Sequence, residues 1–527
     1  MVLTAPLKQL STTLSCLLIL FTGCSVSGSE SQLPVVTQTP GYDSAGSLDV
    51  DVRRPTGAVL VGMGVELDPH FLSQNVTRGE GATAADWDQV FAPRIRAMQI
   101  QRFRVMLLPQ WWEPRNDNDD PSVVNQRQFT FDSREMQSLY QVLDLAQEQQ
   151  IDVTLVLWGC PTWCDLLNPE YSDVKRHFLC TPDGTNWVTE PSDAEEFAES
   201  FSTVVKYLID VKGYTCIKEL TPFNEPDGGI TVLDRYIPLV KTLDKRLRAD
   251  NIRQKVKLNL SDNTDTRRFF LEGCAAGLAQ EADLFNSHTY IFGYQTPNKT
   301  IYDWERENVA VAKRAKKDHF VGEFGSDQCV GSTRQTDIDR YDRGVLMTRI
   351  VVNFLNAGAV GASYWSLLDQ YYDRKANYMG MQQLGLWRYL RKSYAQDPDP
   401  TIFPSLDTDY QVRPQYFAYS LLTRFIRKGA EVYPLVLDDE FVAGTALHNS
   451  DGTWTYVIAN GSSKDKSINL RNTLSADNTP GKVYRYERNL LPDEEQQIAP
   501  TLQITGTKQT FQLCIRSQSV LVVTTQQ

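Results

Sequence analysis

The sequence is short of positive charge. Its 527 residues hold 53 Lys and Arg against 65 Asp and Glu, a formal charge of −12. An acidic chain lacks the field that draws in nucleic acid or an anionic membrane surface. It would also repel a strongly acidic polymer unless a local basic patch intervened, so a neutral ligand suits it best. Long apolar runs are equally scarce. Beyond the first two dozen residues nothing reads as a transmembrane helix, and no short internal repeat is visible. Cysteine offers no metal framework. Apart from Cys16 and Cys24, seven remain, at 160, 164, 180, 216, 274, 329 and 514, so at least one stays free. Cys160, Cys164 and Cys180 crowd one segment with His177, but the spacing matches no common zinc pattern. A disulfide pinning a long loop is the expectation there, and no metal or cofactor is expected anywhere.

What is present begins with a targeting segment over residues 1–24. Lys8 is the only charge ahead of "LSCLLILF", and small residues follow in "FTGC". This is a signal peptide by its proportions. It resembles a bacterial lipobox, which would place a lipid on Cys24, although Phe21 stands where leucine is usual. The mature chain is therefore expected outside the cytoplasm, extracellular or at the cell surface, tethered to a membrane. Residues 25–57 are rich in Ser, Gly, Thr and Pro and read as a flexible tether. Part of residues 35–57 is also a candidate strand for the C-terminal unit.

From about residue 58 short apolar strands alternate with amphipathic helices. The strands are "AVLVGMGV" (58–65), "RFRVML" (102–107), "DVTLVLW" (152–158), "IKELTPF" (217–223), "VKLNL" (256–260), "LFNSHTY" (284–290), "HFVGEF" (319–324) and "GASYWSL" (361–367). Near-continuous apolar character suits parallel strands covered on both sides. Asp132 with Glu135, and Ser192 with Glu195, have capping-box spacing ahead of apolar helical stripes. Residues 233–249, 337–356 and 414–428 carry helical periodicity too. Eight strand-then-helix units predict a (β/α)8 barrel over 58–429. Residues 430–527 change texture to short alternating runs split by turn clusters such as "NSDG", which predicts a small antiparallel β-sandwich.

Functional side chains in such a barrel gather at the C-terminal ends of the strands. Glu225, in "ELTPFNEPDGG", follows strand four, and Glu323, in "VGEFGSD", ends strand seven. Their tips face each other across the barrel mouth. Cleaving a glycosidic bond needs one carboxyl to protonate the departing oxygen and another to attack, or to activate water, at the anomeric carbon.

"FNEP" and "GEFG" resemble the acid/base and nucleophile motifs of clan A glycoside hydrolases, with the cellulase-like family 5 the nearest. The resemblance covers roughly residues 58 to 428. It implies a retaining mechanism with carboxyls about 5–5.5 Å apart, Glu323 as nucleophile and Glu225 as acid/base. It implies that Arg104 and Tyr290 hold Glu323, that Asn224 holds the sugar 2-hydroxyl, and that His288 belongs to the His-x-Tyr pair of strand six. Trp365 would floor the subsite. Glu323 is expected to stay ionised and Glu225 to have a raised pKa. Family 5 usually has a histidine near the end of strand three, where this chain has Trp158. Glu66, Asp68 and His70, after strand one, either grip hydroxyls at the glycone end or pair with one another.

Each residue also has a plainer reading. Arg104 could be a structural ion-pair partner and His288 a satisfied core histidine. Trp111, Trp112, Trp163, Trp187 and Trp387 lie in long segments after strands two, three and eight. Some would wall the sugar cleft and the rest would fill the loops' own cores. Trp87 and Trp304 read as packing residues. The implied partner is an oligo- or polysaccharide, a β-glucan or β-mannan. An exo-acting β-glycosidase, a glycolipid-cleaving enzyme and an inactive carbohydrate-binding protein are the rivals. The C-terminal sandwich reads as structural, since of its residues only Trp454 and a few tyrosines could stack on sugar.

Overall fold

The computed structural model describes residues 35–36, 47–69, 82–161 except 115 and 119, 188–264, 267–291, 293–326, 338–371, 381–388, 410–471, 481–493, 496–504 and 510–526. Eight parallel strands close into a barrel: β1 (Gly62–Leu67), β2 (Arg102–Leu107), β3 (Asp152–Leu157), β4 (Ile217–Thr221), β5 (Lys257–Asn263), β6 (Leu284–Ile291), β7 (Asp318–Ser326) and β8 (Gly361–Tyr364). A helix follows each in turn: α1 (Ala92–Met98), α2 (Arg134–Gln149), α3 (Ala194–Lys206), α4 (Leu233–Ala249), α5 (Arg268–Gly277), α6 (Asn298–Arg314), α7 (Asp342–Ala357) and α8 (Pro414–Phe425). The strands are almost wholly buried, as two-sided cover by barrel core and helices requires. No helix among the described residues is long and apolar enough to cross a membrane.

The helix starts sit one residue later than the capping pattern suggested. Ser133, not Asp132, accepts from the Met136 N–H at the start of α2. Asp193, not Ser192, accepts from the Glu195 and Glu196 N–H groups at the start of α3. In both places the polar residue beside the helix outcompetes its neighbour because its oxygen reaches the third helical N–H, and for Asp193 the second as well.

Past residue 430, β9 (Glu431–Pro434), β10 (Val442–His448), β11 (Trp454–Asn460), β12 (Lys466–Arg471), β13 (Gly481–Tyr486), β14 (Leu502–Ile504), β15 (Thr510–Ile515) and β16 (Ser519–Thr524) build the two sheets of the C-terminal sandwich. The tether reading fails for part of 25–57. Ser47–Asp51 pairs with β12, and Val35–Val36 with β14, both in parallel. "SLDVD" looks like a linker because its polar residues alternate with only two apolar ones. Those two, Leu48 and Val50, are the ones that meet Ile468, Leu470 and Leu513 in the sandwich core.

Sandwich and barrel share one continuous core. α7 lies between them with nearly every side chain buried. Beside it Tyr341 stacks on Tyr486 at 4.6 Å, and each hydroxyl donates to the other's carbonyl. Trp454 is 7% exposed and packs against Tyr433 and His448, in keeping with a structural sandwich.

Candidate active site

Two bulges aim the barrel's polar side chains. Along β5, Asn259 faces inward to Glu219, and strict alternation would bring Ser261 in next. Instead the β5–β6 register jumps from Ser261 to Asn263, with Ser261 at φ 80° and Asp262 at φ 51°. Asp262 is the extra residue and turns into the barrel. On β7 the register jumps from Val321 to Glu323, and Gly322 is the extra residue. His319 faces out to α6, while Glu323 faces in. Bulges that re-aim a side chain are typical beside active sites. Gly322 is needed for space as well: a Cβ there would stand 2.5 Å from Asn286 Oδ1 and 3.0 Å from Asp262 Oδ1.

Glu225 is placed by its backbone. Asn224 N–H donates to Leu157 O of β3 at 2.7 Å, and Glu225 N–H donates to Asp262 O of β5 at 3.0 Å. Glu225 takes the left-handed conformation, φ 43° and ψ 55°. A non-glycine residue in that region is uncommon and costs energy, which the flanking bonds offset. Pro226–Gly228 makes a short 3-10 turn behind it. Asp227 fixes that turn by accepting from the Thr264 N–H and hydroxyl, both at 2.9 Å.

The side chains then converge. Arg104 donates to Glu323 Oε1, Asn224 Oδ1 and Asp262 Oδ2, each at 2.7 Å. Tyr290 donates to Glu323 Oε2 at 2.8 Å. His288 Nδ1 lies 2.9 Å from Glu225 Oε1 and 3.3 Å from Glu323 Oε2, and its Nε2 lies 3.3 Å from Asp262 Oδ1. One carboxylate oxygen of Glu225, one of Glu323 and a ring nitrogen of His288 all fall within 4.8 Å of one another. An oxygen–oxygen approach of that size is compatible with the short carboxyl spacing of about 5–5.5 Å that a retaining mechanism uses. A metal could be held by those three groups on distance alone. The same atoms, however, already face the guanidinium, the phenol and the imidazole.

Burial divides the pair. The Glu225 side chain is 35% exposed, and that of Glu323 only 6%. Burial works against the charge on His288, but Glu323 and Asp262 outweigh it and raise its pKa to about 10. Burial also opposes the charge on Arg104, and Asp262 and Glu323 again prevail. Asp262, though buried, is held below the usual carboxylate range by Arg104 and His288. For Glu323 burial is the strongest influence and pushes its carboxyl up, with His288 and Arg104 working against it. This runs against the expectation that Glu323 stays readily ionised. Glu225 is the outer member of the pair and has His288 as a cationic neighbour.

Trp158 and Trp365 stand edge to face, ring centroids 5.9 Å apart. The Trp158 indole N–H donates to Asp68 Oδ2 at 3.3 Å. Glu66 and Asp68 are fully buried, and the charge of Glu66 reaches Arg104. His70 lies outside the described residues. Three of the five tryptophans in the long segments are core, in line with the expectation that only some of them would wall the cleft. Trp111, Trp112 and Trp387 are at most 1% exposed. Trp112 donates to Ser200 Oγ, and Trp387 packs against Phe91, Tyr416 and Arg94. Long loops need a core of their own, and these rings supply it. Trp163 and Trp187 lie outside the described residues. Trp87 is buried as expected, whereas Trp304 is 36% exposed beneath Arg268. Cys160 is a buried free thiol, so the expected disulfide does not include it; Cys164, Cys180 and His177 lie outside the described residues.

Asp262 is the site residue that sequence reasoning missed. Its signal was an acidic residue just past "VKLNL", at the mouth end of strand five. A second constellation, Ser287 Oγ to His319 Nε2 at 3.1 Å and His319 Nδ1 to Glu305 Oε1 at 2.6 Å, has the order of a nucleophilic triad. All three groups are buried between β6, β7 and α6, where they join strand to helix.

No protein-family model matches the sequence, and no curated protein does. Solved structures do match in fold. The catalytic domain of family 30 xylanase C from Talaromyces cellulolyticus aligns with TM-score 0.58 and 14% identity, over 91% of this chain and 99% of that one. The endo-β1,6-glucanase BT3312 aligns with TM-score 0.59 and 14% identity, over 93% and 96%. A family 39 β-xylosidase from Caulobacter crescentus aligns with TM-score 0.55 and 14% identity, over 91% and 99%. At such identities the likeness is one of fold: this chain shares its overall fold with these solved glycoside hydrolases. Families 30 and 39 stand among these neighbours, and nearness to family 5 is not singled out.

Proposed function

We propose that this chain is a retaining glycoside hydrolase acting on a neutral β-linked glycan, of β-glucan or β-mannan type. The observation that carries the reading is the meeting of Glu225 and Glu323 at the barrel mouth within 4.8 Å, one half exposed and the other clamped. Glu323, oriented by Arg104 and Tyr290, attacks the anomeric carbon, and the glycosidic oxygen leaves with a proton from Glu225. Glu225 then takes a proton from the incoming water, which attacks the glycosyl ester and frees Glu323. The exposure of Glu225 suits a group that must meet leaving group and water in turn. His288 touches both carboxyls, so its positive charge balances whichever is ionised at each step. Arg104 fixes the Asn224 carbonyl and leaves the amide N–H2, which has no partner among the described residues, to donate to a sugar hydroxyl.

The net charge favours a neutral substrate, and two of the structural neighbours are named a β1,6-glucanase and a β-xylosidase, which supports a β-linkage here. Export with a lipid on Cys24 is part of the same reading; Cys24→Ala should release the protein from the membrane fraction. The activity is tested with a panel of defined oligosaccharides and aryl β-glycosides, following the anomer first formed. Hydrolysis with retained configuration is the expected result. Glycan binding without turnover by the wild type would replace the enzyme reading with that of a binding protein.

A further inference from the structure

Away from the barrel mouth, the segment after β2 packs its carboxyls against α3. Glu196 and Glu199 share one face of α3, three residues apart. Asp117 comes from the loop, and the three carboxyls each place an oxygen within 4.8 Å of the others. They are deeply buried: Asp117 and Glu196 are 6% exposed and Glu199 is 1% exposed. Glu113 adjoins them, its Oε1 accepting from the Asp117 N–H at 3.3 Å.

The cluster contains a side chain aimed into it with nothing to bind. Among the described residues neither carboxylate oxygen of Glu199 has a hydrogen-bond partner, and Asp117 Oδ1 has none. Asp117 Oδ2 is satisfied by the Asn125 N–H and the Asn118 amide at 2.9 Å. Arg246 is close enough to act on Glu199 through its field, but its own donors go to Asp250 and to the Pro121 carbonyl. Buried carboxylates with no donor are costly unless they coordinate a cation or take up a proton.

We propose that Asp117, Glu196 and Glu199 form a structural Ca2+ site that ties the loop after β2 to α3. Two oxygens on a common Ca2+, each about 2.4 Å from it, are at most about 4.8 Å apart, so the present spacing needs little movement. The donors are all oxygen, which selects a hard cation over zinc or copper. Ca2+ accepts irregular sets of six to eight oxygens, whereas Mg2+ demands a near-ideal octahedron and keeps its waters. Three to four carboxyls with backbone carbonyls and water suit the larger ion.

The test uses the full-length protein, stripped with chelator and then titrated with CaCl2, read by calorimetry and thermal unfolding. Wild type should take up one Ca2+ at this site and melt about 2 °C or more higher when saturated. Glu199→Gln should lose that rise. In chelator it should melt at or above the wild type, because one repelling charge is gone. Asp117→Asn should lose the rise as well, and it decides the matter if Glu199→Gln does not fold. Wild type that neither binds Ca2+ nor gains stability overturns the proposal. So does a Ca2+-induced rise that persists undiminished in both variants, or a Glu199→Gln protein equally weakened with and without Ca2+.

Discussion

Arg102 and Arg104 stand two residues apart on β2 and face the same way, yet their surroundings differ. Arg102 reaches Glu219 at 2.5 Å and Thr154 at 3.2 Å, and Glu219 Oε2 also accepts from Thr154 and Asn259. No side-chain atom of those four residues is buried without a partner. Two residues up, the Arg104 layer joins three carboxyls to two cations, sets His288 Nε2 against Asp262 Oδ1 at 3.3 Å, and leaves Arg104 Nε without a partner among the described residues. That layer also holds both bulges and the left-handed Glu225. The lower layer is a closed network that holds strands together. The upper one carries strain and unmet polar capacity where a substrate would enter, the usual mark of a functional site in a stable scaffold.

The largest expected contrast is between the carboxylates of the two layers. Glu323→Gln should cut kcat/KM for an aryl glycoside by about 10³-fold or more, with the melting temperature kept. Glu219→Gln should leave kcat/KM of the folded protein near wild type and cost about 3 kcal/mol, because it leaves the buried Arg102 charge with only the longer contact to Asp152 at 3.8 Å. Equal losses of activity in the two variants would erase the distinction. Next come the arginines themselves. Arg104→Lys should lower kcat by roughly 10–100-fold, since one ammonium cannot span acceptors that Arg104 reaches through two separate nitrogens, while Arg102→Lys should move stability alone.

A pH series sharpens the contrast further. The folded state lifts His288 from its ordinary 6.5 to about 10. Its stabilisation is therefore full below about pH 6.5 and is lost as pH rises towards 10. The gap in unfolding free energy between wild type and His288→Phe should narrow across that window by a few kcal/mol. The gap between wild type and Arg102→Lys should stay flat. A constant His288 gap would remove its charge from the account. The smallest effect is expected from Gly322→Ala, whose added methyl must displace Asn286 or Asp262. It should cost about 1–3 kcal/mol and roughly tenfold in kcat/KM.

Much of this was legible in the chain itself. Parallel strands buried on both faces write long apolar runs, so all eight could be counted, and β2 was bounded to the residue. Arg104, Asn224, Glu225, His288, Tyr290 and Glu323 meet as the motifs implied. What stayed hidden depended on departures from period two. Asp262 has the wrong parity for an inward residue until the bulge at Ser261 and Asp262 shifts it. Residues 47–51 looked like linker because their partners lie more than 400 positions away. The roles of Trp111 and Trp112 stayed open because composition cannot tell a ring facing a cleft from a ring filling a loop.

The most direct measurement is mass spectrometry on Glu225→Ala mixed with a panel of dinitrophenyl β-glycosides, with and without azide. A leaving group that needs no proton lets the first step proceed while the second stalls. A single glycosyl adduct should accumulate on the peptide containing Glu323, and azide should discharge it as a β-glycosyl azide. Undiminished turnover by the variant with no effect of azide, or a glycosyl group on any other residue, would contradict the assignment of the two carboxyls.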